Sequence, residues 1–321
     1  MTVTTGAAWT SARSSRRTRP DSLPQHKGFK RARRRRTLIA WGFCSPFLLL
    51  FAAFGLWPVL SSFLMSLTDI TSGDLRTPFN VGFIGLDNYI MLFSDPTFLR
   101  AILNTFYFVV VGIPLTMGIA LALAVALNSG IRRAASLFRV GYFAPVVTSV
   151  VAVAVVWRFM YQPDGLINAM LATVGISGPD WLNDPVWAMP ALIVMGVWRN
   201  LGIPMVIFLA GLQSVPAELH EAASVDGASK WRSFRSITLP LLKPATLVVA
   251  VLLSIGFLQF FEEPFVMTGG GPLDSTTSIG YYAYDQFGFG QYGVAAAASY
   301  VLVLLIAILS FVQFRIFRTK D

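Results

Sequence analysis

Residues 221–244 read EAASVDGASKWRSFRSITLPLLKP, and they run without interruption into ATLVVAVLLSIGFLQFFEEPFV at 245–266. The first stretch is polar and punctuated by Gly227, Pro240 and Pro244; the second is apolar and carries no charge before Glu262. About 20 mostly apolar residues in a helix cross a hydrocarbon core of ~30 Å, and the second stretch has that length. Backbone in lipid must satisfy its own hydrogen bonds, which excludes an isolated strand there. Five further runs of the same kind lie at 38–63, 102–127, 140–160, 187–212 and 294–312. The chain therefore reads as an all-α polytopic membrane protein with six transmembrane helices, in which residues 214–244 form a polar loop between helices 4 and 5.

Composition agrees: 55% of the 321 residues are hydrophobic, only 13% are charged, and the mean hydropathy is +0.63. Soluble domains carry about 25% charged residues, so a soluble enzyme is excluded. Lys and Arg flanking the spans are retained on the cytoplasmic side. With the N-terminus inside, the inner segments hold eleven of them (residues 1–37), three (Arg132, Arg133, Arg139), four (Lys230, Arg232, Arg235, Lys243) and three (Arg315, Arg318, Lys320), which is 21 of the 25. Both termini and the loop 214–244 are then cytoplasmic.

Residues 1–37 form a basic tail, 38–316 a six-helix domain, and 317–321 a short cytoplasmic C-terminus. The first 29 residues, rich in Ser, Thr, Arg and Pro, cannot bury a core and are expected to be disordered. The basic run at 30–36 would neutralise nucleic-acid phosphates, but it abuts the first span, where topology and anionic lipid account for it. No nucleic-acid partner is expected. The apolar run that follows is too long for a signal peptide and is kept as an anchor. Cys44 is the only cysteine, which excludes a disulfide framework and a cysteine metal cluster; a packed apolar thiol is expected.

Within the loop, Pro216 suits the first position of a helix and Glu218 its positive dipole end. Glu221, Ala222 and Ala223 continue that helix, and it should stop near Asp226-Gly227, since glycine permits a left-handed turn. Ala222, Ala223 and Ala228 are small enough for a partner to approach closely. A second helix carries Trp231, Phe234 and Ile237 along one stripe until Pro240 and Pro244 end or kink it. The arrangement reads as a docking element, with an ordinary amphipathic loop as the alternative on composition alone.

The spacing E-A-A, two residues, D-G-A and, further on, L-P resembles the EAA loop of permease subunits in bacterial binding-protein-dependent ABC importers, of the carbohydrate-uptake class that includes maltose and glycerol-3-phosphate systems. That resemblance implies that Glu221, Ala222, Ala223, Asp226, Gly227, Ala228, Leu239 and Pro240 couple the chain to a dimer of separate ATPase subunits. It also implies a second homologous permease subunit, an extracytoplasmic solute-binding protein, and residence in the bacterial cytoplasmic (inner) membrane. FIGLDNY at 83–89, with Asn104-Thr105 opening span two, and MTGGGP at 267–272 resemble outer-loop signatures of the same family. The resemblance covers the chain from residue 38 to its C-terminus.

No G-x-x-x-x-G-K-[ST] occurs, so no cofactor is expected on this chain; ATP and Mg would be bound by the partner ATPase. Gly288 to Gly293 satisfy G-x-G-x-x-G, yet they lie in an outer loop before an apolar span, without the preceding strand or following acidic residue of a dinucleotide site. His26 and His220 fall in the tail and the loop, and neither H-E-x-x-H nor a nucleophile elbow occurs. No catalytic or metal-binding residue is assigned.

Charge inside a span is costly and asks for a reason. Arg199 lies about 18 Å along the fourth span from Trp187 at 1.5 Å per residue, near the midplane. With Trp198 and Asn200 beside it, and Gly202 and Pro204 loosening the helix, it suits either a polar substrate path or a structural ion pair. Glu262 and Glu263, with Gln259, Phe260 and Phe261 alongside, combine carboxylates with aromatic faces, a pairing that holds sugars; aromatics also gather at membrane interfaces. The substrate-path candidates are thus Trp198, Arg199, Asn200, Gln259, Phe260, Glu262 and Glu263. Arg158 is near enough to the outer boundary to snorkel.

The reading is a non-catalytic permease subunit forming half of a pathway for a sugar, oligosaccharide or glycerophosphate-type solute. The alternative is an ion-gradient-driven secondary transporter of a polar solute. That rival calls for midplane ion-coupling carboxylates and inverted repeats, whereas Glu262 and Glu263 are peripheral and no strong repeat is visible.

Overall fold

The computed structural model describes residues 27–76, 81–128 and 145–317. The basic residues Arg132, Arg133, Arg139, Arg318 and Lys320, and the start of the third apolar run, lie outside them. Among the described residues the chain is helical, without a strand; a single bridge pairs Thr68 with Phe83.

The chain divides into two compact units, one through Val59 and one from Leu60. The first is built on α1 (Lys27–Phe51), a π-turn (Ala52–Leu56) and the start of α2 (Trp57–Ser66). Helix α1 reaches back through the basic run to Lys27; residues 1–26 of the basic tail lie outside the described residues. Cys44 is exposed and not packed as expected. The π-turn has a local cause: Pro58 lacks an N–H and its ring crowds the carbonyl four residues back, and Trp57 donates instead to Ala52, five residues back.

The second unit contains α3 (Asp87–Ser94), α4 (Pro96–Asn128), α5 (Val150–Met160), α6 (Leu166–Thr173), α7 (Ala188–Arg199), α8 (Gly202–Gln213), α9 (Ala217–Val225), α10 (Lys230–Leu241), α11 (Lys243–Leu258), α12 (Glu262–Met267), α13 (Ile279–Gly288) and α14 (Tyr292–Phe317). Three continuous helices, Ile39–Ser66, Pro96–Asn128 and Tyr292–Ile316, are long and apolar enough to cross a membrane. Two bent pairs meet the same test: α7 with α8, bent by 48°, and α10 with α11, bent by 66°. Helix α5 is apolar but has only 11 residues.

Two expected spans are therefore broken. In the run 187–212, Pro204 cannot donate to the Asn200 carbonyl, so the ladder opens at residues 200–201, where Asn200 turns its side-chain Nδ2 back to Gly196 O at 2.8 Å. In the run 245–266, Pro264 leaves the Phe260 carbonyl without an intrahelical donor. Ser278 Oγ supplies it at 2.8 Å, and the helix ends at Leu258 before α12 begins.

Helix α4 lies at the centre, packed on α7, α8 and α11, with Phe108, Phe208, Phe257, Met195 and Met205 fully buried. Lipid offers helices little hydrophobic drive to associate, so close packing through small residues carries the contact. A Cβ on Gly112 would lie 2.2 Å from Phe257 Cε1, and one on Gly196 2.9 Å from Phe108 Cζ. At the other end of α4, Phe98 and Ala101 pack with Leu92, Ile279, Ala297 and Ala298.

The stretch at 83–89 and the residues just after 267–272 each take part in a polar clamp. Asn88 Nδ2 donates to Ser66 O (2.9 Å) and Thr68 O (2.8 Å), closing the end of α2. Asn104 Nδ2 donates to Asp274 O (2.7 Å) and Thr277 O (2.9 Å), and Arg100 Nη1 to Leu273 O (2.6 Å). The loop after α12 is thereby tied to the start of α4. Two glycines of the G-x-G-x-x-G stretch serve close packing: a Cβ on Gly290 would strike Ser72 Oγ at 2.5 Å, and one on Gly293 Thr68 O at 2.5 Å, whereas one on Gly288 would meet nothing within 4 Å.

Candidate coupling helix and intramembrane polar site

Helix α9 starts one residue later than expected, with Pro216 as its N-cap in an extended conformation and Glu218 in its first turn. Its C-terminus explains the spacing E-A-A-x-x-D-G-A. Asp226 is the C-cap, and Gly227 follows in the left-handed conformation at φ +75°. Gly227 N donates to Ser224 O (3.1 Å), and Ala228 N to Ala223 O (2.9 Å). These are the two bonds of a Schellman motif. The second alanine supplies a terminal carbonyl, the glycine the left-handed turn, and Ala228 the amide that closes it.

Ser229 Oγ then caps α10 by accepting from Arg232 N at 3.3 Å, and His220 Nδ1 meets Ser233 Oγ at 2.8 Å, holding the two helices together. No residue of α9 is buried. Glu221 and Ala222 are exposed, Val225 is 87% exposed and Trp231 69%. Trp231 stacks on Phe234 at 5.8 Å, so the expected stripe exists, although its first member faces outward.

The root of this projection is tight. Residues 234–238 form a second π-turn, with Leu239 N donating to Phe234 O; Pro240 stands one residue beyond, as Pro58 does beyond Trp57. Thr238 and Leu242 are buried, and a Cβ on Gly211 would lie 2.7 Å from Leu242 Cδ2. The end of α8 and the entry to α11 are thus locked at one joint, from which α9 and α10 extend.

The second candidate region lies at the two helix breaks. Arg199 is the last residue of α7 and lines a cavity of about 270 Å3 with Asn200, Ile203, Pro204, Val249 and Leu253. Glu263 is 5% exposed, in the first turn of α12, close enough for the Arg199 charge to act on it. Arg199 Nε and Glu263 Oε2 are both buried without a hydrogen-bond partner. The structure thus sets Arg199 and Asn200 on one cavity, with Glu263 outside its lining but within reach of the Arg199 charge, and leaves the two side chains unjoined at those atoms.

The remaining candidates lie elsewhere. Trp198 faces an apolar cavity of about 480 Å3 beside Trp157. Phe260 is 2% exposed and stacks on Phe108 with centroids 4.0 Å apart, so it belongs to the packed core and not to a cavity wall. Gln259 is exposed and caps α11, and Glu262 is half-buried. Arg158 reaches Val266 O at 3.3 Å. On α13, burial and the hydrogen bond to Asp95 Oδ2 (2.6 Å) push the Tyr282 phenol up, and burial with the Asp274 charge raises the Asp285 carboxyl. Among the described residues no group of His, Cys, Asp and Glu could hold a metal ion.

Residues 89–320 match the family described as the binding-protein-dependent transport system inner membrane component. The chain belongs to this family, that of ABC transporter permease subunits. The permease is 38% identical over 280 residues to the lactose transport system permease protein LacF of Rhizobium radiobacter, covering 85% of its own length and 92% of that relative. It is 34% identical over 278 residues (85% and 87%) to the arabinooligosaccharides permease protein AraP of Bacillus subtilis, and 33% over 276 residues (86% and 92%) to the trehalose/maltose permease protein MalF of Thermococcus litoralis. In structure, the permease resembles a chain from the crystal structure of a bacterial ABC transporter involved in the import of the acidic polysaccharide alginate. The TM-score is 0.74 at 25% identity, over 89% of the permease and 98% of that chain.

The sequence marked the candidate coupling residues individually but not the cap that joins them. It also passed over the aromatic residues of α13, Tyr281 and Tyr284, whose signal was the density of rings in the stretch YYAYD at 281–285.

Proposed function

We propose that this permease forms half of the translocation pathway of an ATP-driven importer of carbohydrate, delivered by an extracytoplasmic binding protein. The observation that carries the reading is α9: an exposed, Schellman-capped helix with an apolar tip at Val225, fixed through α10 to the joint of α8 and α11. A short helix so held can pass a displacement to two spans without first folding. On this reading the ATPase dimer seats Glu221, Ala222, Ala223, Asp226, Gly227 and Ala228, with Leu239 and Pro240 in the stem; both termini are cytoplasmic and a homologous permease completes the pore. The chain itself performs no chemistry, and ATP and Mg belong to the ATPase.

Relatives named for lactose, arabinooligosaccharides and trehalose/maltose support the carbohydrate class. Arg199, Asn200 and Glu263 are the groups most suited to polar cargo, because broken helices leave irregular backbone only where it lines a cavity or is buried in protein. Reconstitution of the permease with its partner permease, ATPase and binding protein tests the proposal. Sugar uptake should require ATP and stimulate its hydrolysis, and uptake by the permease without ATPase would refute it in favour of ion-gradient-driven transport.

A further inference from the structure

Four aromatic rings meet beyond the end of α11. Phe265 packs on Phe261 (5.3 Å), Tyr281 (6.3 Å) and Tyr284 (5.2 Å), and Phe261 on Tyr284 (5.2 Å). They come from two short helices, one face of each: residues 261 and 265 beside α12, and 281 and 284 on α13. The backbone fixes them in place. Ser278 Oγ joins the start of α13 to Phe260 O, and a Cβ on Gly270 would lie 2.8 Å from Tyr281 Cε1. Two of the rings remain open, Phe265 at 44% and Tyr284 at 49% exposure.

The surroundings decide what could cover them. Aromatic rings gather at either membrane interface, so what sets this cluster apart is the charge at its edge. Helices α12 (EEPFVM) and α13 (IGYYAYDQFG) carry the Glu262 and Asp285 carboxyls, and the Arg158 guanidinium packed against α12 is engaged with the Val266 carbonyl. Asp285 stands one turn beyond Tyr281 and acts electrostatically on its phenol. Open ring faces with carboxylates at their edge match the two halves of a sugar, an apolar C–H face and a rim of hydroxyls. Position agrees: Glu263, two residues from Phe265 and so on the opposite side of α12, is the buried carboxyl near Arg199.

We propose that Phe265 and Tyr284, backed by Phe261 and Tyr281, form a stacking platform for one sugar ring of the cargo, with Glu262 and Asp285 taking its hydroxyls. The platform rests on the carbohydrate reading above and adds a holding point before the cavity at Arg199.

The test is sugar binding to the assembled transporter in nanodiscs without its binding protein, followed by saturation-transfer NMR with lactose, maltose and arabinotriose. The unmodified complex should transfer saturation to the C–H face of at least one of these sugars. Phe265→Leu combined with Tyr284→Leu keeps apolar area but removes the ring faces; it should weaken binding about tenfold, while Phe265→Trp keeps it. Unchanged binding in the double variant overturns the platform, and so does an effect confined to the amount of binding protein needed for half-maximal uptake, which would make the rings a protein-docking surface. Should the double variant fail to assemble, Glu262→Gln with Asp285→Asn carries the test, with a threefold loss or more expected and no loss overturning it. No signal with a sugar that the complete transporter imports overturns the platform alone. Failure of the complete transporter to import any of the three overturns the carbohydrate reading and the platform with it.

Discussion

Gly227 offers the most direct test of the coupling helix, because its environment separates strain from contact. Its φ is +75°, and a Cβ built there meets nothing within 4 Å. A substitution therefore encounters no clash within the chain and is resisted only by the left-handed backbone, at about 1–2 kcal/mol for a residue with a Cβ. Such a loss lowers the capped population about 5- to 30-fold relative to the frayed one. With nine residues, α9 is too short to be stable by itself, so that shift should unwind its last turn in a substantial share of molecules. ATP hydrolysis stimulated by loaded binding protein should then fall in the order Gly, Asn, Ala, Val. Asparagine tolerates the left-handed region best, and valine adds a branched Cβ. Membrane-inserted amounts should remain constant, since α9 buries no residue. Full stimulation with Val would refute the coupling role; equal losses with Asn, Ala and Val would refute the strain argument and point to a partner surface that excludes any side chain.

Other substitutions address the scaffold. Gly112→Ala places a methyl 2.2 Å from Phe257 Cε1, an overpacking worth about 1–3 kcal/mol; thermal unfolding in detergent should come earlier, and adding Phe257→Leu should restore it. Asn88→Ala removes the donor to two carbonyls at a buried position, costing about 1–3 kcal/mol. Asn88→Asp should be worse, since it sets a carboxylate against those carbonyls; equal melting temperatures for all three proteins would disprove the clamp. Arg199→Gln should impair uptake and stability by leaving Glu263 buried without a balancing charge. Adding Glu263→Gln should recover part of the stability, and strictly additive effects would show that the two residues do not act on each other.

What the sequence disclosed follows from the range of the interactions involved. The apolar runs could be read directly because membrane thickness imposes a length on each helix. The E-A-A-x-x-D-G-A spacing was legible because a Schellman cap is closed within six residues, Ala223 to Ala228. The breaks in the runs 187–212 and 245–266 were less visible, since a proline inside an apolar run indicates a lost hydrogen bond but not how it is replaced. At the first break the Asn200 side-chain amide turns back onto the nearby Gly196 carbonyl, whereas at the second the Phe260 carbonyl takes its donor from Ser278, 18 residues away. The same distance limit hid the nature of Phe260. Its neighbours Gln259 and Glu262 made it look like part of a polar path, whereas its ring stacks on Phe108, more than 150 residues earlier in the chain.

The buried, unpartnered Arg199 Nε and Glu263 Oε2 gain their meaning from those breaks. A guanidinium or carboxylate in the middle of an intact apolar helix would face lipid or packed side chains, at a cost that no neighbour offsets. Arg199 ends one half-helix and Glu263 begins another, so each stands where the main chain has already left the regular ladder and where polar groups must be accommodated. Pro204 and Pro264 open these places, and Asn200 and Ser278 stabilise them. Replacing either proline by alanine would thus be expected to lengthen a helix through the polar region and to displace the charge that stands at its break. Mere relief of a kink would instead raise stability and leave uptake intact. Loss of uptake with unchanged or increased stability is the outcome that assigns the breaks to transport.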